Sequence, residues 1–244
     1  MKLLVVGGSG HVGRLVLPHL AQDHELRILD IVKPSAGPWE HVIGSAADVE
    51  AVASSLADVD ALVYMAMNTQ SDWGSASTVR NAFDVNVMAL HMSLWAASDS
   101  GVRHVVYTSS LSVYREREGR YPLDSERPDA TDFYGLTKRL GEEVCRSWAS
   151  EGRITVTALR LCFPVSDDAP PPMSPRFKAT TFTRAYDVAQ ALQAALEYRD
   201  GFQAITISGD ADECTTSLAR AKGLLGWAPT RAAHPPDDRF PVEP

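Results

Sequence analysis

The first thirty residues constrain this chain more than any other stretch. Lys2 to Val6 reads Lys-Leu-Leu-Val-Val, and Gly7-Gly8-Ser9-Gly10-His11-Val12-Gly13 follows at once. An apolar run without polar alternation is the pattern of a strand buried on both faces. Val12, Leu15, Val16 and Leu20 then recur at helical spacing. Strand, glycine turn and helix start together make a dinucleotide-binding unit. In such a unit Gly7 permits the sharp turn off the strand, Gly10 admits a pyrophosphate close to the backbone, and Gly13 lets the helix pack on the sheet. The unpaired N–H groups of the helix start, at His11 and Val12, and the positive end of the helix dipole stabilise an anion there.

A second apolar run, Leu26 to Leu29, ends in Asp30, seventeen residues past Gly13. A carboxylate in that place accepts hydrogen bonds from both ribose hydroxyls and repels a 2′-phosphate, which favours NAD over NADP. Lys33 nearby softens that preference. Two rival readings of the glycines fail on spacing. Gly8 and Gly13 have the separation of a Walker loop, but Arg14-Leu15 replaces its lysine and hydroxyl. Ser9 has His11 where a nucleophile elbow needs glycine.

At 244 residues the chain suits one compact α/β unit with a small appended lobe. A net charge of −8 argues against nonspecific nucleic-acid binding, which needs basic surface. No apolar run is long enough to span a membrane, and the four apolar residues before Gly7 are too few for a signal-peptide core. Cys145, Cys162 and Cys214 are sparse, odd in number and without a Cys-x-x-Cys pair, which fits a reducing cytoplasm. The seven histidines form no metal-ligand pattern, so no metal is expected.

Beyond Asp30, strands and helices alternate. A turn-rich stretch from Lys33 to His41 leads to a short extended piece ending near Gly44, and Val49 to Leu56 reads as a short helix. Asp60–Ala66, Val102–Thr108, Ile154–Leu161 and Phe202–Ser208 read as strands. Val79–Ala97, Tyr134–Ser150 and Tyr186–Tyr198 read as helices, the first with an apolar face at 83, 87, 90, 94 and 97 and with Gly101 as its cap. This alternation predicts a Rossmann-type, doubly wound parallel sheet. Residues 1–161 are expected to form the NAD-binding domain and 162–244 a small substrate-binding region interleaved with the last sheet elements. Pro164 to Thr183, with Pro170-Pro171-Pro172 and Pro175, has almost no periodicity. It follows a strand whose carboxyl end should face the ligand, so it is a candidate covering loop.

Tyr134 and Lys138 are four apart on a helix and therefore share a face, and Ser110 follows a strand that ends at the same crevice. These residue types suit hydride transfer at a secondary alcohol: Tyr134 passes the proton, Ser110 holds the oxygen, and Lys138 supplies positive charge. A free tyrosine ionises near pH 10, too high for an efficient base. A cation about 4 Å away at an effective dielectric of about 20 contributes roughly 4 kcal/mol, equivalent to about three pH units.

With these residues the chain resembles the extended short-chain dehydrogenase/reductase family, the NAD-dependent sugar epimerases and dehydratases. The resemblance runs through Gly7–Gly13, Asp30, Asp60–Ala66, Asn86, Val106–Tyr114, Tyr134–Lys138 and Arg160, then Tyr186-Asp187-Val188-Ala189 and Leu225-Gly226-Trp227-Ala228-Pro229. It implies that Ser110 rather than Ser109 is the catalytic serine, that Tyr134 is the acid/base, and that Lys138 binds the nicotinamide ribose while tuning the tyrosine. It further implies cofactor contacts from Gly7, Gly10, His11, Val12, Gly13, Asp30 and Ala66, a helix asparagine near the active site at Asn86, and dimer pairing through helices Val79–Ala97 and Tyr134–Ser150.

Three departures qualify it. Gly44-Ser45 replaces the family's Gly-Asp, so adenine recognition passes to Ser45 or backbone. Leu161-Cys162-Phe163-Pro164 replaces the usual stretch past the arginine, and Cys162-Phe163-Pro164 is similar to one in uronate dehydrogenases, at a shorter offset from Arg160. The chain also has little room for the lobe that encloses a nucleoside diphosphate, which points to a smaller substrate. Met67, Ser110, Arg176 and Arg184 are candidate substrate contacts, with Lys178, Phe133 and Trp73 as further candidates.

The leading expectation is an NAD-dependent oxidoreductase that transfers hydride between the nicotinamide and a secondary alcohol of a small sugar-like or polar metabolite. One alternative is an epimerase or dehydratase that recycles its NAD. The other is a non-catalytic dinucleotide sensor that binds a protein partner.

Overall fold

The computed structural model describes residues 1–68, 75–115, 120–169 and 181–230. Trp73, Arg176, Lys178 and the prolines at 170–172 and 175 lie outside the described residues.

Strand β1 (Lys2–Val6) leads through the glycine turn into α1 (His11–Leu20), and β2 (Glu25–Asp30) and β3 (Trp39–Ile43) follow. Asp48 caps α2 (Val49–Ser55) by accepting from the Glu50 and Ala51 N–H groups. After β4 (Ala61–Tyr64), α3 (Ala76–Phe83) and α4 (Leu90–Asp99) are joined by a π-helical turn, Asp84–Ala89. Then come β5 (His104–Ser110), a 3₁₀ turn at Leu111–Val113, α5 (Phe133–Ser150) and β6 (Thr155–Leu161). The short strands β7 (Pro164–Val165) and β8 (Thr183–Arg184) pair with each other, followed by α6 (Ala185–Glu197), β9 (Phe202–Ile207) and α7 (Ala219–Leu225).

Seven parallel strands form the main sheet in the order β3-β2-β1-β4-β5-β6-β9. The sheet grows one way from β1 to β3 and the other way from β4 to β9, so its crevice opens between β1 and β4 at the strands' carboxyl ends. One face buries Leu3, Val5, Ile28 and Val63 against Leu17 of α1 and Leu192 of α6. The other buries Leu4, Val6, Leu62 and Tyr107 against Val52 of α2, Leu94 of α4 and Cys145 of α5. This is the doubly wound arrangement expected from the sequence. β9 lies beyond residue 161 yet pairs with β6, so the carboxyl-terminal part of the chain completes the main sheet.

The helix expected over 79–97 is interrupted. Its face at 90, 94 and 97 is buried, but Phe83 is exposed and Val87 only half-buried, whereas Ala82 and Asn86 are fully buried. A π turn accommodates one residue more than an α turn, so the buried face slips by one position across it. Simple 3.6 periodicity cannot anticipate that slip.

Helix α7 is a further element that the sequence reading passed over. Gly226 ends it with φ +61°, and Trp227 turns back into the core. The Trp227 indole donates to the Asp187 carbonyl at 3.0 Å, and the Asp187 carboxylate accepts from the Thr230 N–H and hydroxyl at 2.9 and 2.7 Å. Two motifs forty residues apart thus hold one another.

Candidate active site

Gly7 has φ +85°, and a Cβ on it would come within 2.3 Å of the Ala66 Cα and N. The end of β1 therefore lies directly against Ala66, the second residue after β4, with half-buried Met67 next along the crevice. A Cβ on Gly13 would fall 2.0 Å from the Gly8 carbonyl oxygen, so α1 packs on the turn only as glycine. At Gly10 an added Cβ would meet only the Gly7 oxygen, at 3.3 Å, and no side chain caps the helix. The N–H groups of His11 and Val12 thus begin a helix that no capping side chain closes, as an incoming pyrophosphate requires.

Asp30 ends β2 with both oxygens oriented: Oδ2 accepts from the Ser9 N–H at 2.8 Å and Oδ1 from the Val32 N–H at 3.0 Å. Each oxygen keeps a second acceptor position for a ribose hydroxyl. Ser45 lies one strand over, after Gly44, whose N–H donates to the Asp30 carbonyl. The Ser45 hydroxyl accepts from the Ala47 N–H at 3.1 Å. These residues fit the adenosine half of NAD. Replacing Asp30 with serine removes the charge facing a 2′-phosphate and is expected to raise the NADP/NAD ratio of kcat/KM roughly tenfold to hundredfold. Steady-state kinetics with both cofactors checks this, and an unchanged ratio would take Asp30 out of cofactor selection.

The second half of the site gathers at the ends of β5 and α5. The Ser109 hydroxyl donates to Glu142 at 2.7 Å, deep in the interior. Ser110, at the strand's last position, accepts from the Ser112 N–H at 3.1 Å as the chain enters the 3₁₀ turn. The two serines are therefore separated by what they bind. Asp132 caps α5 by accepting from the Gly135 N–H at 2.9 Å. A Cβ on Gly135 would lie 2.2 Å from the Ser112 oxygen. The first turn of α5, which carries Tyr134, thus rests on the turn that follows Ser110.

Lys138 is 2% exposed, and its ammonium donates to the Thr108 carbonyl at 2.8 Å. It stands 5.1 Å from the Tyr107 ring centroid and 6.0 Å from that of Tyr134. Burial pulls this lysine down from its ordinary value to about 8. The sequence reading took the lysine as a fixed charge about 4 Å from the tyrosine. The folded chain makes it a group that titrates near neutrality, with its charge about 6 Å from the centre of the ring. Asn86 is buried in the π turn. Its side chain accepts from the Asn68 N–H at 3.1 Å and donates to Thr137 at 3.0 Å, and Thr137 donates to the Tyr134 carbonyl at 2.9 Å. It braces the loop after β4 against the start of α5.

The remaining candidates fall elsewhere. Phe133 packs edge-on against Phe83, centroids 6.3 Å apart. Arg184 is buried and donates to the Ser166 and Ala169 carbonyls at 2.9 and 2.7 Å, so it secures the segment from Pro164 to Ala169. His11 reaches the same segment through the Pro164 carbonyl at 2.9 Å, and His19 reaches it through Asp167 at 3.1 Å. The sequence reading missed Glu142, which follows Lys138 at the same four-residue spacing and was detectable on that ground. Among the described residues no group of three or more His, Cys, Asp or Glu is placed to hold a metal ion, and no helix is long and apolar enough to cross a membrane.

Residues 3–204 match the family model for the NAD dependent epimerase/dehydratase family. The chain belongs to that family. It is an NAD-dependent enzyme of the extended short-chain dehydrogenase/reductase type. One relative is the N-acetyl-alpha-D-glucosaminyl-diphospho-ditrans,octacis-undecaprenol 4-epimerase of Escherichia coli O157:H7, 31% identical over 147 residues, 60% of this chain and 43% of that protein. The chain thus spans less than half the length of that epimerase. Another is the NAD-dependent glucose-6-phosphate dehydrogenase of Haloferax volcanii, 23% identical over 93% of this chain and 92% of that protein. Among solved structures, uronate dehydrogenase from Agrobacterium tumefaciens superposes with a TM-score of 0.79 at 21% identity, covering 97% of this chain and 91% of that one. That likeness is one of fold.

Proposed function

We propose that this enzyme oxidises a secondary alcohol of a small sugar-like or polar metabolite, or reduces the matching carbonyl, with Ser110, Tyr134 and Lys138 as its catalytic residues. The observation that carries the reading is Lys138: a buried ammonium held by the Thr108 carbonyl, two residues before Ser110 and one helical turn from Tyr134. NAD supplies the hydride acceptor. Ser110 holds the alcohol oxygen, and Tyr134 as phenolate takes its proton while the carbinol C–H bond breaks and the carbonyl forms. Lys138 stabilises that phenolate and holds the nicotinamide ribose. Gly7, Gly10, Gly13, His11, Val12, Asp30, Ser45 and Ala66 hold the rest of the cofactor, and Met67 lines the substrate side. Support for a small substrate comes from the near full-length match to the Haloferax dehydrogenase.

The second reading, an epimerase or dehydratase that recycles its cofactor, draws on the 31% identity to the E. coli epimerase. A screen of sugar and polyol alcohols with NAD separates the two. NADH accumulating with substrate is the expected result; altered product with unchanged NADH absorbance would replace this reading with the second.

We also propose a homodimer through α4 and α5. Met88 and Trp95, 59% and 46% exposed, lie seven residues apart on that outer face, and Trp148 of α5 donates to His91 beside them at 3.1 Å. A second copy of the chain would cover these rings. Light scattering should give twice the chain mass for the native protein and the monomer mass for Trp95→Glu; a native monomer at micromolar concentration would overturn the pairing.

A further inference from the structure

Glu142 is fully buried, and both its oxygens are engaged. Oε1 accepts from the Ser109 hydroxyl at 2.7 Å and from Arg160 Nε at 2.9 Å, and Oε2 accepts from the second arm of Arg160 at 2.8 Å. Arg160 is itself 1% exposed and continues to the Tyr114 hydroxyl and to the Asp124 carbonyl at 3.2 Å. The Asp124 carboxylate accepts from the Thr206 N–H on β9 at 3.0 Å. One carboxylate thus ties α5 to β5, to β6 and, through arginine, to the loop before α5. Removing one member of such a buried pair leaves the other charge uncompensated.

The position of Glu142 is as informative as its bonds. Tyr134, Lys138 and Glu142 follow one another at i, i+4 and i+8, one above the next on a single helix face. We propose that Glu142 is a positioning residue for the Ser110–Tyr134–Lys138 site: it fixes the end of β5 through Ser109 and supplies the negative charge one helical turn beyond Lys138. This rests on the dehydrogenase reading above. Burial lowers Lys138, and the Glu142 charge works against that shift. The other groups facing Lys138 give it no full charge. From β5 come the Thr108 carbonyl and the Tyr107 ring, whose hydroxyl burial holds well above its ordinary value. From α5 come Tyr134 and the Cys145 thiol, which burial also pushes well up, so it stays neutral. From the π turn comes Asn86, which reaches α5 only through Thr137. Arg160, on β6, pairs with Glu142 and offsets part of its charge at Lys138.

Glu142→Gln keeps the volume and the acceptor for Ser109 but removes the charge. NADH affinity followed by fluorescence, and kcat where a substrate is in hand, are expected to lose their alkaline limb near pH 8 and to show it about one unit lower. At pH 8 that shift appears as a loss of roughly fivefold, approaching tenfold at higher pH. KM for the alcohol should change by less than about threefold, and Glu142→Asp, which retains the charge, should return the limb towards its native pH. A limb that stays in place while rate and Tm fall equally at every pH would make Glu142 a fold-holding residue only and overturn the proposal, as would a native protein with no alkaline limb. If Glu142→Gln does not fold, Glu142→Gln/Arg160→Met removes the pair together; Glu142 acts on Lys138 more strongly than Arg160 does, so the limb must still move down, by less than in the single variant. The affinity readout needs no turnover, so it tests Glu142 even if Tyr134→Phe remains active and the dehydrogenase reading falls.

Discussion

Tyr134→Phe is expected to lower turnover by roughly 10²-fold or more while NADH binding holds, the usual scale for loss of a general acid/base. The substitution deletes one hydroxyl and keeps the ring. The carbonyl of residue 134 still accepts from Thr137, and the Asp132 cap on the Gly135 N–H involves only backbone at the start of α5. Those bonds at the start of α5 are kept, and native Tm with native NADH affinity in the variant would assign a fall in rate to the proton transfer. The direction with pH is also set. The Lys138 ammonium is present below about pH 8 and is lost above it, so it supports a phenolate only on the acid side of that value. Alcohol oxidation should fall as pH rises through about 8 and the lysine loses its charge. Steady-state rates across pH, with NADH fluorescence titrations alongside, check both statements. A variant that keeps its rate would remove Tyr134 from the mechanism.

Gly7→Ala is expected to cost about 2–5 kcal/mol of stability together with most of the NAD affinity. A left-handed backbone imposes about 1–2 kcal/mol on any L residue. The added methyl must also displace the backbone of Ala66, where overpacking costs about 1–3 kcal/mol. The neighbour here is main chain and not the tip of a flexible side chain, so the ends of β1 and β4 must separate. For a domain of this size that corresponds to a drop in Tm of roughly 4–20 °C. Thermal unfolding with and without NAD measures both effects. A variant with native Tm and native cofactor affinity would mean that the turn relaxes without moving Ala66.

Tyr134 and Gly7 both stand out before any folding is considered. Gly7, Gly10, Gly13 and Asp30 are legible because a glycine turn and the carboxylate that ends the next strand lie within one βαβ unit, where sequence distance nearly fixes spatial distance. Tyr134 and Lys138 are legible because a helix brings positions four apart onto one face. The parallel sheet follows from apolar runs of strand length alternating with helical periods. Local geometry carries all of these.

What the linear chain leaves open depends on contacts between distant segments. The charge state of Lys138 is set by Tyr107 and Thr108 on β5 closing over it, thirty residues away. Ser109 and Ser110 are told apart in the sequence only by resemblance; in the fold Glu142, itself paired with Arg160, takes the Ser109 hydroxyl. The π turn that sinks Asn86 shifts a periodicity that looks unbroken in sequence, and Arg184, exposed by its residue type, is turned inward to the carbonyls of 166 and 169. A sequence specifies which groups a local element presents. Desolvation and the pairing of buried charges arise only when separate elements meet and exclude water, and that is why tertiary structure alone decides them.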